Sequence, residues 1–177
     1  MKAFFDIDTQ NDFVVPGGAL YGQGSERVIP WVARLNRYAG ENGIALISSM
    51  CAHREDSKEF EVWLPHCIVG TEGQKKPAAT LLADREKQII VEKDDLDLFS
   101  NPDVIPLLDK LAIDECFVYG VFTEYCVKCA IMGLLKIGRE VSLVTEATAH
   151  LSPSEGERVV AHFVAAGGHC ISAKTFV

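Results

Sequence analysis

The sequence has no long apolar run, no excess of basic residues and no tract of low complexity. The roughly 18 unbroken apolar residues of a membrane-spanning helix occur nowhere. Asp6 and Asp8 also break off the one leader-like stretch, Met1-Lys2-Ala3-Phe4-Phe5, before it reaches useful length. With 17 Lys and Arg against 25 Asp and Glu, the formal charge is −8, a sign that repels polyanions and anionic lipid surfaces. No nucleic-acid partner and no membrane partner are therefore expected. The six cysteines have irregular spacing, which makes no disulfide framework and fits reduced thiols in a cytoplasmic protein.

Repeats and linkers are missing too, and 177 residues with 48% hydrophobic content suffice for one core, so a single domain is expected over 1–177. Short β-branched or aromatic runs stand at Ala3 to Ile7, Ile44 to Ser48, Gln88 to Val91, Glu115 to Tyr119, Val141 to Val144 and His169 to Ser172. Helical stripes separate most of them. Val28, Val32, Leu35 and Ala39 share a face behind Pro30, and Val104, Leu108 and Leu111 repeat the pattern. Val127, Ile131 and Leu134 follow Thr123 as an expected N-cap and precede Gly138, and Val159 and Phe163 follow Ser152-Pro153-Ser154. Strands alternating with helices predict an α/β fold, a three-layer α/β/α sandwich with a mostly parallel central sheet. In such sheets chemistry gathers beyond the carboxyl ends of the strands.

Three segments at those exits carry reactive side chains. The first strand runs into Asp6-Ile7-Asp8-Thr9-Gln10-Asn11-Asp12-Phe13, a carboxylate-rich stretch that also resembles the Asp-x-Asp-x-Thr of magnesium-dependent dehalogenase-like phosphatases, whose lysine and metal carboxylates Lys93-Asp94-Asp95 could supply. About half of such acids are turn formers rather than catalysts. Gly120-Val121-Phe122-Thr123-Glu124-Tyr125-Cys126-Val127 places a cysteine where a strand gives way to a helix, a position that lowers a thiol pKa. A buried structural cysteine is the competing reading, and Cys126-Val127-Lys128-Cys129 also forms a C-x-x-C of weak redox or zinc significance. The region Cys51 to Pro77 is long, irregular and rich in His, Trp and Gly, which marks it as a functional loop.

Taken together, Asp8 to Phe13, Pro16 to Leu20, Lys93 and Gly120 to Val127 resemble the ordered motifs of the isochorismatase-like cysteine hydrolases, nicotinamidases above all, and the resemblance covers nearly the whole chain. It implies that fold, a catalytic triad of Asp8, Lys93 and Cys126, and an oxyanion hole from the backbone N–H groups of Phe122 and Cys126 beside a cis peptide between Val121 and Phe122. The implied reaction is hydrolysis of a small-molecule amide, nicotinamide to nicotinate and ammonia, through a cysteinyl thioester. A carbamoyl or ureido amide, a dehalogenase-like phosphatase and a silent ligand-binding protein are the alternatives. Phe13 and Trp63 would flank a planar ring, with ordinary core packing as the competing explanation.

The resemblance also implies a divalent metal, zinc in the first instance. Cys51-Ala52-His53 and Trp63-Leu64-Pro65-His66-Cys67 match the family's metal segments, with Cys51 standing where the family has Asp, so the expected ligands are Cys51, His53 and His66. Phe122 in place of Ala and Glu124 in place of Asp depart from the family pattern and bear on substrate choice. A homo-oligomer is compatible with the sequence, which does not set the assembly.

Overall fold

A computed structural model describes residues 1–176, and Val177 lies outside the described residues. Six strands are present: β1 (Lys2–Ile7), β2 (Ala45–Cys51), β3 (Gln88–Lys93), β4 (Glu115–Gly120), β5 (Glu140–Thr148) and β6 (His169–Ile171). They form one all-parallel sheet in the order β3-β2-β1-β4-β5-β6. The helices are α1 (Asn11–Val14), α2 (Ile29–Glu41), α3 (Val104–Lys110), α4 (Lys128–Lys136) and α5 (Pro153–Ala165). No helix among the described residues is long and apolar enough to cross a membrane.

The central strand explains the layering. Successive β1 side chains point to opposite faces, so Ala3, Phe5 and Ile7 join one core with Val104 and Leu108 of α3, Ile131 and Leu134 of α4 and Phe163 of α5. Phe4 joins the other with Val32, Leu35 and Ala39 of α2. A strand buried on both faces reads as a continuous apolar run, which is why Ala3 to Ile7 carries no alternation. The result is the expected three-layer α/β/α sandwich. Pro30 lies at the start of α2, where its missing N–H has no intrahelical partner to lose. Gly138, past the end of α4, adopts φ 79°, a left-handed conformation that ends the helix.

Two local expectations are corrected. Thr123 does not cap α4: its hydroxyl donates to the Ala149 carbonyl at 2.9 Å, and residues Thr123–Val127 form a π-type turn with Phe122 at its N-cap. The fifth strand runs past Val144 to Thr148 because the β4–β5 register shifts between Val118 and Gly120, which pairs Gly120 with Thr148. In that irregular stretch Glu146 accepts hydrogen bonds from the Ser172 hydroxyl at 2.5 Å and the Ala173 N–H at 2.9 Å, tying β5 to the C-terminal turn.

Those bonds, the Ser172 hydroxyl first, hold the Glu146 carboxyl down to about 2. A depressed carboxyl stabilises the fold above its unfolded pKa of about 4.3 and loses that contribution as pH falls toward the folded value. Thermal unfolding of Glu146→Gln is therefore expected to lie below that of wild type at pH 7 and to approach it near pH 2 to 3. A constant difference across that window would show that the carboxylate charge is not what matters.

Candidate active site

The strand order reverses between β1 and β4, and the three chemical segments leave the sheet at its carboxyl edge around that point. Asp8 follows β1 with φ 48°, Lys93 ends β3, and Cys126 follows β4 through the turn Thr123–Val127. Gly120 makes the approach of β4 to β1 feasible, since a Cβ there would lie 2.0 Å from the Ile7 carbonyl oxygen. The Val121–Phe122 peptide is cis, as the resemblance implies.

The side chains converge. Lys93 Nζ lies 2.8 Å from Asp8 Oδ2, both fully buried, 3.7 Å from Cys126 Sγ and 2.8 Å from the Asp95 carbonyl oxygen. Ser49 donates its hydroxyl to Asp8 Oδ1 at 2.6 Å. Burial alone would raise the Asp8 pKa, but the Lys93 ammonium and the hydrogen bonds from Lys93, Ser49 and Cys126 outweigh it and keep the carboxyl below its ordinary value. Lys93 is likewise disfavoured as a cation by burial, yet the surrounding anions raise its pKa well above normal. The pair is a charged unit at neutral pH.

Cys51 is the member sequence reasoning placed elsewhere. Its sulfur lies 3.3 Å from Lys93 Nζ and 3.6 Å from Asp8 Oδ2, and the ligand atoms of Asp8, Cys51 and Cys126 are all within 4.8 Å of one another. Gln10 holds its backbone from both sides, accepting from Cys51 N at 2.7 Å and donating to its carbonyl at 2.8 Å. Hydrogen bonding from the Cys126 thiol lowers the Cys51 pKa to about 7 against the opposing effect of burial. The same contact and burial raise Cys126 well above the usual thiol range. Two adjacent thiols cannot both ionise cheaply, so the pair releases one proton readily and holds the second. The sequence-based expectation of a lowered Cys126 pKa is thus reversed, because the Cys51 contact and burial outweigh Lys93.

Beside this cluster, ligand atoms of His53, Glu59 and His66 lie within 4.8 Å of one another. Of the expected metal set, the two histidines therefore group with Glu59, while Cys51 groups with Asp8 and Cys126. His53 Nδ1 meets Asp94 Oδ1 at 2.5 Å, and its buried Nε2 has no hydrogen-bond partner. His66 Nδ1 donates to the Leu64 carbonyl at 2.8 Å, which leaves its Nε2 as the lone-pair nitrogen. Burial lowers the His66 pKa and favours that neutral form. An orphaned buried imidazole nitrogen, a second free one and a carboxylate fit a borderline-soft divalent ion, with Asp94 orienting His53 from behind. Asp94→Asn is expected to weaken zinc binding by about 10- to 100-fold in a titration of metal-free protein. Unchanged affinity would show that Asp94 does not orient a metal-bound His53.

A narrow cavity of about 30 Å³ opens over both clusters, walled by Phe13, Trp63, Phe122, Tyr125 and Leu151 with Cys51 and Cys126 at its base. Phe13 and Trp63 thus both face it, Phe13 edge-on to Phe122 with ring centroids 5.9 Å apart and Trp63 edge-on to Tyr125 at 5.1 Å. Glu124 accepts from the N–H groups of Leu151 and Ser152 at 2.8 and 2.7 Å and so holds Leu151 against the pocket. Asp12 staples the long loop, accepting from Cys67 N at 2.7 Å and Ala19 N at 3.0 Å. A Cβ at Gly73 would lie 2.1 Å from that carboxylate.

Asp6, the other carboxylate a phosphatase reading would use, is fully buried against Lys76 Nζ at 3.0 Å and the Thr9 hydroxyl at 2.6 Å. Asn36 donates to it at 3.1 Å. It holds the fold and has no open face for a substrate. Ser49 and Glu59 were not singled out as site residues from sequence, and Asp94 entered only as a carboxylate of the phosphatase alternative. Asp94 directly follows Lys93, and Glu59 stands six positions after His53, signals too common to select them unaided.

Comparison with known proteins bears on the family and the fold. A family model described as the isochorismatase domain matches residues 2–175. The Escherichia coli nicotinamidase is 24% identical over 200 residues, covering 94% of this chain and 92% of that protein. An Arabidopsis thaliana protein named as a probable inactive nicotinamidase is 24% identical over 161 residues, covering 85% and 82%. The crystal structure of a Pyrococcus horikoshii pyrazinamidase in complex with zinc superposes with a TM-score of 0.88 at 26% identity, covering 97% of this chain and 98% of that one. By its sequence over residues 2–175 and by its fold, the chain belongs to the isochorismatase family.

Proposed function

We propose that the protein is a cysteine amidohydrolase of the nicotinamidase type, with Cys126 as nucleophile, Asp8 as general base and acid, and Lys93 as the fixed cation between them. The observation that carries the reading is the buried Asp8–Lys93 pair at 2.8 Å with Cys126 Sγ 3.7 Å from the same ammonium, at the base of an aromatic-walled pocket. Asp8 takes the thiol proton as sulfur attacks the amide carbon, and the backbone N–H groups of Phe122 and Cys126 receive the developing oxyanion. Asp8 returns the proton to the departing nitrogen, so ammonia leaves and a thioester remains. Water, deprotonated by Asp8, then cleaves the thioester, and the thiol regains its proton. Lys93 stays charged throughout and offsets the anions on Asp8 and sulfur.

His53, His66 and Glu59 are the residues that would hold a divalent metal, which supplies a Lewis-acid position for a ring nitrogen of the substrate. Phe13 and Trp63 line the space a planar ring would occupy. Phe122 narrows it: a Cβ at Gly22 would lie 2.6 Å from the Phe122 ring, so the ring is wedged against the facing loop. Phe122→Ala is accordingly expected to raise kcat/KM for bicyclic aromatic amides relative to nicotinamide by roughly tenfold, within the about 1–3 kcal/mol that pocket shape commands. An unchanged ratio would show that Phe122 does not set the size limit.

Ammonia release from nicotinamide by the zinc-loaded protein tests the function. Turnover with nicotinate as coproduct supports it. Tight binding of nicotinamide without release would instead identify a silent binder, and release only from carbamoyl compounds would identify a different amide.

A further inference from the structure

Cys51 has no part in the mechanism above, yet its sulfur shares the Lys93 ammonium with Cys126 and lies within 4.8 Å of the Cys126 sulfur. Both cysteines are free and face the same cavity. That cavity opens onto both sulfurs, so a small hydroperoxide that enters it meets the two together. Lys93 Nζ lies 3.3 Å from the Cys51 sulfur and 3.7 Å from the Cys126 sulfur, so one cation stands beside both reacting atoms.

We propose that Cys51 and Cys126 are a redox modification site that takes a small hydroperoxide and closes to a reversible intramolecular disulfide. In the first step the Cys126 thiolate attacks one peroxide oxygen. The O–O bond breaks, the sulfur is oxidised to sulfenic acid, and the released hydroxide takes a proton to become water. In the second step the Cys51 thiolate attacks the Cys126 sulfur. The S–S bond forms, the S–O bond breaks, and a second water leaves, so two thiols and one hydrogen peroxide give one disulfide and two waters. A dithiol reductant reverses the change by exchange.

The consequence is protection. A sulfenic acid with no resolving thiol proceeds to sulfinic acid, which thiols do not reduce. Cys129 in α4 and the buried Cys67 are further free thiols, and neither belongs to the sulfur cluster at Lys93.

The test treats full-length wild-type protein with hydrogen peroxide, alkylates remaining thiols under denaturing conditions and maps the digest by mass spectrometry. The expected result is a cross-linked peptide pair containing Cys51 and Cys126 that disappears after dithiothreitol. In Cys51→Ser the same treatment is expected to leave Cys126 as sulfinic acid, insensitive to dithiothreitol. Wild-type Cys126 reaching sulfinic acid while Cys51 still alkylates, or a disulfide from Cys126 to Cys129, would overturn the proposal. The wild-type map decides the matter even if the variant folds poorly. Because the readout is mass rather than ammonia, failure here leaves the amidase reading standing, and failure of that reading leaves this one.

Discussion

Cys126→Ala is expected to lower ammonia release from nicotinamide by at least about 10⁴-fold, since the proposed thioester route closes without its nucleophile. The sulfur lies 3.7 Å from Lys93 Nζ, at the mouth of the turn Thr123–Val127. Alanine fits the buried position without a new polar group, so thermal stability should move little. Cys51 gives this prediction its edge, because a second thiol shares the same ammonium. If Cys51 were the nucleophile, Cys126→Ala would retain appreciable activity and Cys51→Ala would not.

Asp8→Asn is expected to lower kcat by roughly 10²- to 10⁴-fold, the usual worth of a positioned proton-transfer group. Asparagine keeps the shape but cannot take the thiol proton or return it to ammonia. The substitution also strips Lys93 of its counter-ion inside a fully buried pair, and an uncompensated buried charge costs about 3–5 kcal/mol. A lower melting temperature should therefore accompany the loss of rate. Binding of nicotinamide to the zinc-loaded variant separates the two effects: affinity close to wild type with lost turnover marks a chemical role. Wild-type kcat in a folded Asp8→Asn protein would remove Asp8 from proton transfer.

Much of the scaffold was legible in the sequence because parallel strands buried on both faces read as unbroken apolar runs. Ala3 to Phe5 and Cys116 to Tyr119 are such runs, and they lie in β1 and β4. The far part of β5 was not legible, since Thr145 and Glu146 are polar and serve a bulge and a side-chain latch rather than a core face. The short α1 was hidden at the end of the stretch Asp6 to Phe13, where closely spaced acids resemble a turn.

The site was legible to the extent that motifs mark it. Asp8, Lys93 and Cys126 stand at strand exits, and the sheet brings exits together whatever lies between them. Cys51 and Glu59 depend instead on how the loop after β2 is folded, which hydrophobic periodicity does not encode. Gln10 grips the Cys51 backbone, Asp12 grips Cys67, and these long-range bonds decide that Cys51 turns toward Lys93 while Glu59 meets the histidines. The Cys51 contact and the burial that reverse the expected Cys126 pKa are likewise properties of packing rather than of spacing.

The most direct test is to quench the wild-type enzyme with acid during turnover of nicotinamide and map the acyl group by mass spectrometry. A nicotinoyl thioester on Cys126, absent from Asp8→Asn, is the expected result. An acyl group on Cys51, or steady ammonia release with no acylated cysteine, would contradict it.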